Sequence, residues 1–346
     1  MTILCFLIIA LLTLAPAGLA QAAPATQPAP TYSRPLGIAM ETWPYPYPVQ
    51  FLSLTLEGQT VRMAYMDVKP AKANGRTVLL LHGKNFWGAY WEPVIRSLAA
   101  AGYRVVVPDQ IGFGKSAKPD IHYSFDLLAQ NTAALLDHLA IDRTAVVGHS
   151  MGGMLAVRFA RNYPQRTSAL VLEDPIGLED YRLKVPPTPT EALFQKELHK
   201  SVEGVRAYYQ TYFTQWKPAY EQFVEVNARV MLSGEYPRYA MASAQTTQMI
   251  YQQPVRHEFH LITAPTLLVV GLEDRTTLGR GQVSPAVLAT LGQYPQLGKQ
   301  AAKDIPDCKL IELPNVGHIP HLDVPEQFNR DLRAFLQGVQ PPQDAP

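Results

Sequence analysis

From Phe51 onward the apolar positions fall into two alternating rhythms. Phe51–Leu56 and Val61–Met66 look like strands joined at Glu57-Gly58-Gln59, a hairpin signal. Thr77–Leu81, Tyr103–Val107, Thr144–Val147, Ser168–Leu172 and Thr266–Val270 are continuous apolar runs, as expected of strands covered on both faces. Lys309–Leu313 is a further strand-like run. Helical segments lie between them. In one, Ser124 can cap the start, Asp126 sits in the first turn, and Leu128, Leu135 and Leu139 recur on one face. Strands alternating with helices predict an α/β fold, a mostly parallel sheet with helices on both faces. Residues 175–257 break the rhythm: they show no strand pattern, only helical stretches such as Ser201–Trp216 and Tyr220–Leu232. This predicts a core over 50–174 and 258–338 with an inserted helical cap over 175–257.

The ends read differently. Ile3–Ala15 is apolar apart from Thr13, too short for a membrane span, and small residues follow it. Residues 1–22 are therefore expected to be a signal peptide, the protein exported to the periplasm or medium, with no integral span after its removal. Residues 23–49 read as a Pro-rich linker whose aromatic end, Trp43 to Pro48, packs on the domain. A disordered tail is expected over 339–346. Eleven of the 30 prolines lie in these ends, so the excess is local and the chain is not of low complexity. Lys and Arg number 30 against 29 Asp and Glu. That balance argues only against a nucleic-acid partner; the small-molecule substrate expected of the chain comes from its motifs, and the oligomeric state is left open. Removing the leader takes Cys5 and leaves Cys308 alone, so no internal disulfide is expected.

The strongest chemical signal is Gly148-His149-Ser150-Met151-Gly152, a G-x-S-x-G between a strand and a helix. That turn pushes a serine hydroxyl out over the sheet edge. A serine needs a base, and the base needs an acid to orient it. Asp274, just past a buried strand, and His318, in Gly317-His318 beyond the last strand, supply both in the order Ser, Asp, His. Glu173 and Asp174, ending the preceding strand, are rivals for the acid, with Asp274 favoured over Asp174. His321 reads as a site-edge or packing residue. The oxyanion donors are expected to be the backbone N–H groups of Met151 and of Lys84, with Asn85 second. The Lys84 side chain is either solvated or a bias toward anionic substrates. Phe86, Trp87, Tyr90 and Trp91 follow the oxyanion loop as candidate walls of the acyl pocket, with Trp91 read as packing the first helix; His149 is a further candidate for the substrate pocket. Tyr208, Tyr209, Tyr212, Phe213 and Trp216 are candidates to complete an apolar pocket, although their spacing prevents all five from facing one side.

Leu81-His82-Gly83, the turn Pro108 to Ser116, the elbow at Ser150 and Gly317-His318 together resemble the α/β-hydrolase fold superfamily, in its serine-nucleophile branch with a helical cap. The resemblance runs from Phe51 to Leu336 and implies a Ser-Asp-His triad. With the leader, it implies an exported carboxylic ester hydrolase acting on a small or medium, largely apolar substrate through an acyl-enzyme. An aminopeptidase or amidase, or a C–C-bond hydrolase on the same triad, is the alternative. A non-catalytic binding protein on a hydrolase scaffold is an alternative of another class. No cofactor or metal is expected: Gly112 to Ser116 lacks the first glycine of a P-loop, and His257-Glu258-Phe259-His260 is one residue short of a zinc motif.

Overall fold

The computed structural model describes residues 31–339, and from Ser33 onward they form one compact unit. The expected signal peptide and the linker as far as residue 30 lie outside the described residues, as does the tail from 340. Eight strands make one sheet: β1 (Val49–Leu56), β2 (Gln59–Val68), β3 (Thr77–Leu81), β4 (Arg104–Pro108), β5 (Thr144–His149), β6 (Thr167–Glu173), β7 (Thr266–Gly271) and β8 (Cys308–Leu313). Their spatial order is β1-β2-β4-β3-β5-β6-β7-β8. β1 pairs antiparallel with β2, and β2 antiparallel with β4. The remaining pairs are parallel. Glu57 (φ 47°) and Gly58 (φ 77°) turn the hairpin in the left-handed region that two-residue hairpin loops favour. Leu79, Leu80, Val146, Val147, Leu170 and Val171 are fully buried, which is why these strands read as unbroken apolar runs.

Core helices are α1 (Glu92–Ala100), α2 (Phe125–His138) and α3 (Met151–Asn162). Ser124 caps α2 by accepting the Leu127 N–H at 3.0 Å. The interval between β6 and β7 holds helices only: α4 (Thr190–Leu198), α5 (Val202–Gln210), α6 (Glu221–Met231) and α7 (Tyr236–Gln252), with short 3₁₀ turns. After β7 come α8 (Pro285–Leu288) and α9 (Tyr294–Asp304), and after β8 come α10 (Pro320–Asp323) and α11 (Pro325–Gly338). α1 packs with α11, and α2 with α3.

The stretch expected to act as a tether differs from expectation from Leu36 on. Leu36, Ile38 and Met40 are buried. The Leu36 N–H donates to the Arg229 carbonyl at 2.9 Å. In the aromatic end, expected to pack on the domain, the Tyr45 hydroxyl donates to Asp109 Oδ2 at 2.6 Å. The reason is physical: fully burying a large apolar side chain stabilises by about 1.5–3 kcal/mol, enough to hold a proline-rich segment against the domain.

Candidate active site

Chain order and sheet order together locate a crevice. From β3 the chain moves outward to β4, then crosses back to β5 on the other side of β3. Ligands bind beyond the carboxyl ends of strands at such a switch point. Gly83, just past β3, and Ser150, just past β5, meet there: a β-carbon on Gly83 would stand 3.1 Å from Ser150 Cβ.

Ser150 has φ 56° and ψ −120°, a conformation that costs a non-glycine residue about 1–3 kcal/mol. Its N–H donates to the Glu173 carbonyl at 3.1 Å, and its carbonyl accepts the Gly153 N–H at 2.9 Å. The turn is so tight that a β-carbon on Gly148 would lie 2.1 Å from the Gly152 oxygen, and one on Gly152 would lie 2.2 Å from the Leu81 oxygen. Met151 opens α3, where the first N–H groups have no partner within the helix.

The structure brings Ser150, Asp274 and His318 together. His318 Nδ1 lies 2.7 Å from Asp274 Oδ2, and His318 Nε2 lies 2.9 Å from Ser150 Oγ. With the carboxylate accepting the Nδ1 proton, Nε2 presents its lone pair to the serine hydroxyl. Asp274 is fixed in turn by the Thr276 N–H, which donates to Oδ1 at 2.7 Å. The His318 N–H donates to the Tyr212 carbonyl at 2.7 Å, so a residue of the helical insertion holds the base loop.

Both rivals for the acid are occupied elsewhere. The Asp174 carboxylate accepts the Gly271 N–H at 2.9 and 3.1 Å. Burial, and next the charge of Asp274, push its pKa well above the ordinary carboxylate range. Glu173 instead holds His321: its Oε1 accepts the His321 backbone N–H at 2.7 Å, and its Oε2 lies 2.9 Å from His321 Nδ1. This second carboxylate–imidazole pair is fully buried.

A hydrogen-bonded chain joins the three loops of the site. The Gly83 N–H donates to Tyr90 Oη at 3.1 Å, and Tyr90 Oη lies 2.9 Å from His149 Nδ1. His149 Nε2 lies 2.8 Å from the His318 carbonyl, which can only accept. Nε2 therefore carries the proton, and the tyrosine hydroxyl donates to Nδ1. Burial, reinforced by His318 and His321, pushes the His149 pKa well down, so the ring stays neutral in this role. His82 is likewise structural. Its Nδ1 donates to the Gly83 carbonyl at 2.8 Å while Nε2 accepts the Gln110 N–H at 3.0 Å.

The pocket differs from expectation. His149 is a buried connector, and Phe86 and Trp87 are buried in an aromatic cluster with Phe223. Their large apolar area is better covered against neighbouring rings than left facing a water-filled space. A cavity of about 460 Å³ lies instead between the loop at Lys84 and Asn85, helices α4 to α7 and residues 277–282. Its lining includes Lys84, Asn85, Tyr208 and Tyr209, and also Lys196, Glu197, Lys200 and Arg280. Of the aromatic group on α5 and beyond, Tyr209, Tyr212 and Phe213 are buried while Tyr208 is exposed. The Tyr212 ring lies 4.7 Å from that of His318, and its hydroxyl donates to that of Tyr208 at 3.0 Å. The Lys84 Nζ donates to the Ser243 carbonyl and hydroxyl at 3.1 and 2.9 Å. Burial pulls its pKa down to about 8, with Glu197 opposing the fall and Lys200 adding to it. Sequence reasoning missed Tyr90 as a connector and the cationic lining. Tyr90 carries no motif, and the lining unites residues from positions 84 to 280.

Comparison with known proteins agrees with this fold. The model of the alpha/beta hydrolase family matches residues 78–331. A 2-hydroxy-6-oxo-6-phenylhexa-2,4-dienoate hydrolase of Burkholderia cepacia is 28% identical over 270 residues, 76% of this chain and 88% of that protein. A crystal structure of a probable hydrolytic enzyme from Pseudomonas aeruginosa PAO1 is 45% identical. It covers 88% of this chain and 99% of that one with a TM-score of 0.86. An esterase from Exiguobacterium antarcticum, 20% identical with a TM-score of 0.64, covers 84% of this chain and all of its own and shares the fold.

Proposed function

The chain belongs to the alpha/beta hydrolase family, and from that premise we propose that it is a serine hydrolase that cleaves a carboxylic ester through an acyl-enzyme. The observation that carries this is the pair of contacts on one imidazole, Asp274 at 2.7 Å and Ser150 Oγ at 2.9 Å. His318 Nε2 takes the hydroxyl proton as Ser150 Oγ attacks the carbonyl carbon. The Asp274 carboxylate stabilises the imidazolium that forms. The backbone N–H groups of Lys84 and Met151 donate to the developing oxyanion. The imidazolium then returns its proton to the departing alcohol oxygen as the C–O bond breaks. Water, deprotonated by the same imidazole, attacks the acyl carbon and releases the acid and the serine. The volume of about 460 Å³ beside the oxyanion loop suits a small or medium substrate. The apolar run at Ile3–Ala15, with small residues after it, supports an exported location for the enzyme.

A second reading, cleavage of a C–C bond by the same serine, rests on the likeness to the Burkholderia cepacia dienoate hydrolase. A panel of aryl and alkyl esters, together with a 2-hydroxy-6-oxo dienoic acid, tests both. Ester turnover at least about 10³-fold faster in the wild type than in Ser150→Ala is expected. Cleavage of the dienoic acid with no ester turnover would overturn the ester reading in favour of the second.

A further inference from the structure

The cavity that Lys84 lines, one residue beyond the glycine that meets Ser150, is unbalanced in charge within a chain that is balanced. Lys84, Lys196, Lys200 and Arg280 line it against a single acid, Glu197. Glu197 is already paired with Lys200. Lys84, Lys196 and Arg280 are left without a carboxylate of their own in the lining.

The three cations are placed unequally. Lys196 and Arg280 are exposed, at the rim. Lys84 is partly buried, one residue past the glycine that abuts Ser150. Its ammonium is fixed by two neutral acceptors on Ser243, across from the oxyanion loop on α7. An ammonium withdrawn from water, hydrogen-bonded to neutral oxygens and sharing the field of a Glu197 that Lys200 already pairs, keeps a desolvation penalty that an entering anion would offset. With a pKa of about 8 it still carries its charge at pH 7.

We propose, on the reading of Ser150 as the nucleophile, that the substrate is a carboxylate-bearing ester whose anionic group is received in this cavity by Lys84, with Arg280 and Lys196 drawing it in at the rim. The ester carbonyl lies at Ser150 while the rest of the molecule extends past Lys84 toward Arg280. Substrate choice is then set by charge together with the apolar part of the lining, Leu193, Val205 and Leu278 among it.

Two matched pairs of esters test this, each normalised to its rate with hydroxide. p-Nitrophenyl hemiglutarate against p-nitrophenyl valerate puts the charge on the acyl side. 4-Acetoxybenzoate against its methyl ester puts it on the leaving side. In the wild type, kcat/KM for the anionic member should exceed that of the neutral one by tenfold or more in at least one pair. Lys84→Gln should cut that ratio by tenfold or more, the order expected when one charge of a partly buried pair is removed. Arg280→Gln should cut it by a smaller factor and gives a second readout if the first variant folds poorly. Ratios at or below one in both pairs, or equal losses on both members in the two variants, would overturn the proposal. Failure of the wild type to turn over all four esters would sink the ester reading itself, and this proposal with it.

Discussion

His318 and His321 stand three residues apart after β8, both fully buried and each held by a carboxylate from a neighbouring strand end. Asp274 lies 2.7 Å from one Nδ1, and Glu173 lies 2.9 Å from the other. The difference is at the second nitrogen. His318 Nε2 faces the Ser150 hydroxyl at 2.9 Å. His321 Nε2 has no hydrogen-bond partner among the described residues, and its ring stacks on Trp91 at 4.2 Å. A carboxylate–imidazole pair is thus not by itself a catalytic device. It orients a ring, and the use of the ring depends on whether a nucleophile meets its second nitrogen.

The largest expected effect breaks the first pair. Asp274→Asn replaces an acceptor of the Nδ1 proton with a donor, favours the wrong tautomer, and should lower kcat by about 10³–10⁴-fold. Asp174→Asn should change kcat by less than about threefold. Its carboxyl touches Gly271 and not His318, and burial beside Asp274 already favours its neutral form. Steady-state rates on one aryl ester check both, and the reverse ranking would move the acid to Asp174.

Breaking the second pair should show in stability instead. His321→Leu leaves the Glu173 carboxylate buried without its imidazole and should cost about 3–5 kcal/mol in urea unfolding. The rate per folded molecule should stay within about threefold. A rate loss comparable to that of Asp274→Asn would mean that the two histidines share the chemistry.

The smallest effect concerns Lys84, which faces Glu197 and Lys200 from α4 and its C-terminal end and Ser243 from α7, with Lys196 and Arg280 farther along the lining. Its ammonium is present below a pKa of about 8 and is lost above it. The preference for an anionic ester over its neutral partner should therefore fall about sevenfold or more between pH 7 and pH 9.5, approaching the loss in Lys84→Gln. A ratio that rises with pH would contradict the assignment.

The same contrast explains what is legible in the sequence. The inner strands β3 to β7 announce themselves because a strand covered on both faces must be continuously apolar, and the hairpin of β1 and β2 because its turn carries Gly58. Ser150, Asp274 and His318 are readable because each follows such a strand or the last one, where the chain has little choice of where to point a side chain. Nothing comparable marks Tyr90, Glu173 with His321, or the cationic lining. These depend on side chains from distant segments meeting in space, and periodicity carries no record of which they meet. Leu36, Ile38 and Met40 escape notice for a related reason: single apolar residues in a proline-rich stretch have no period, yet each finds a buried site.

The central claim is that Ser150 is an activated nucleophile, and covalent labelling with a fluorophosphonate probe, read by intact mass and peptide mapping, tests it most directly. One adduct per chain on Ser150 is expected, absent in Ser150→Ala and slowed by several orders of magnitude in His318→Gln. A wild-type enzyme that stays unlabelled, or that labels at another residue, would contradict the account.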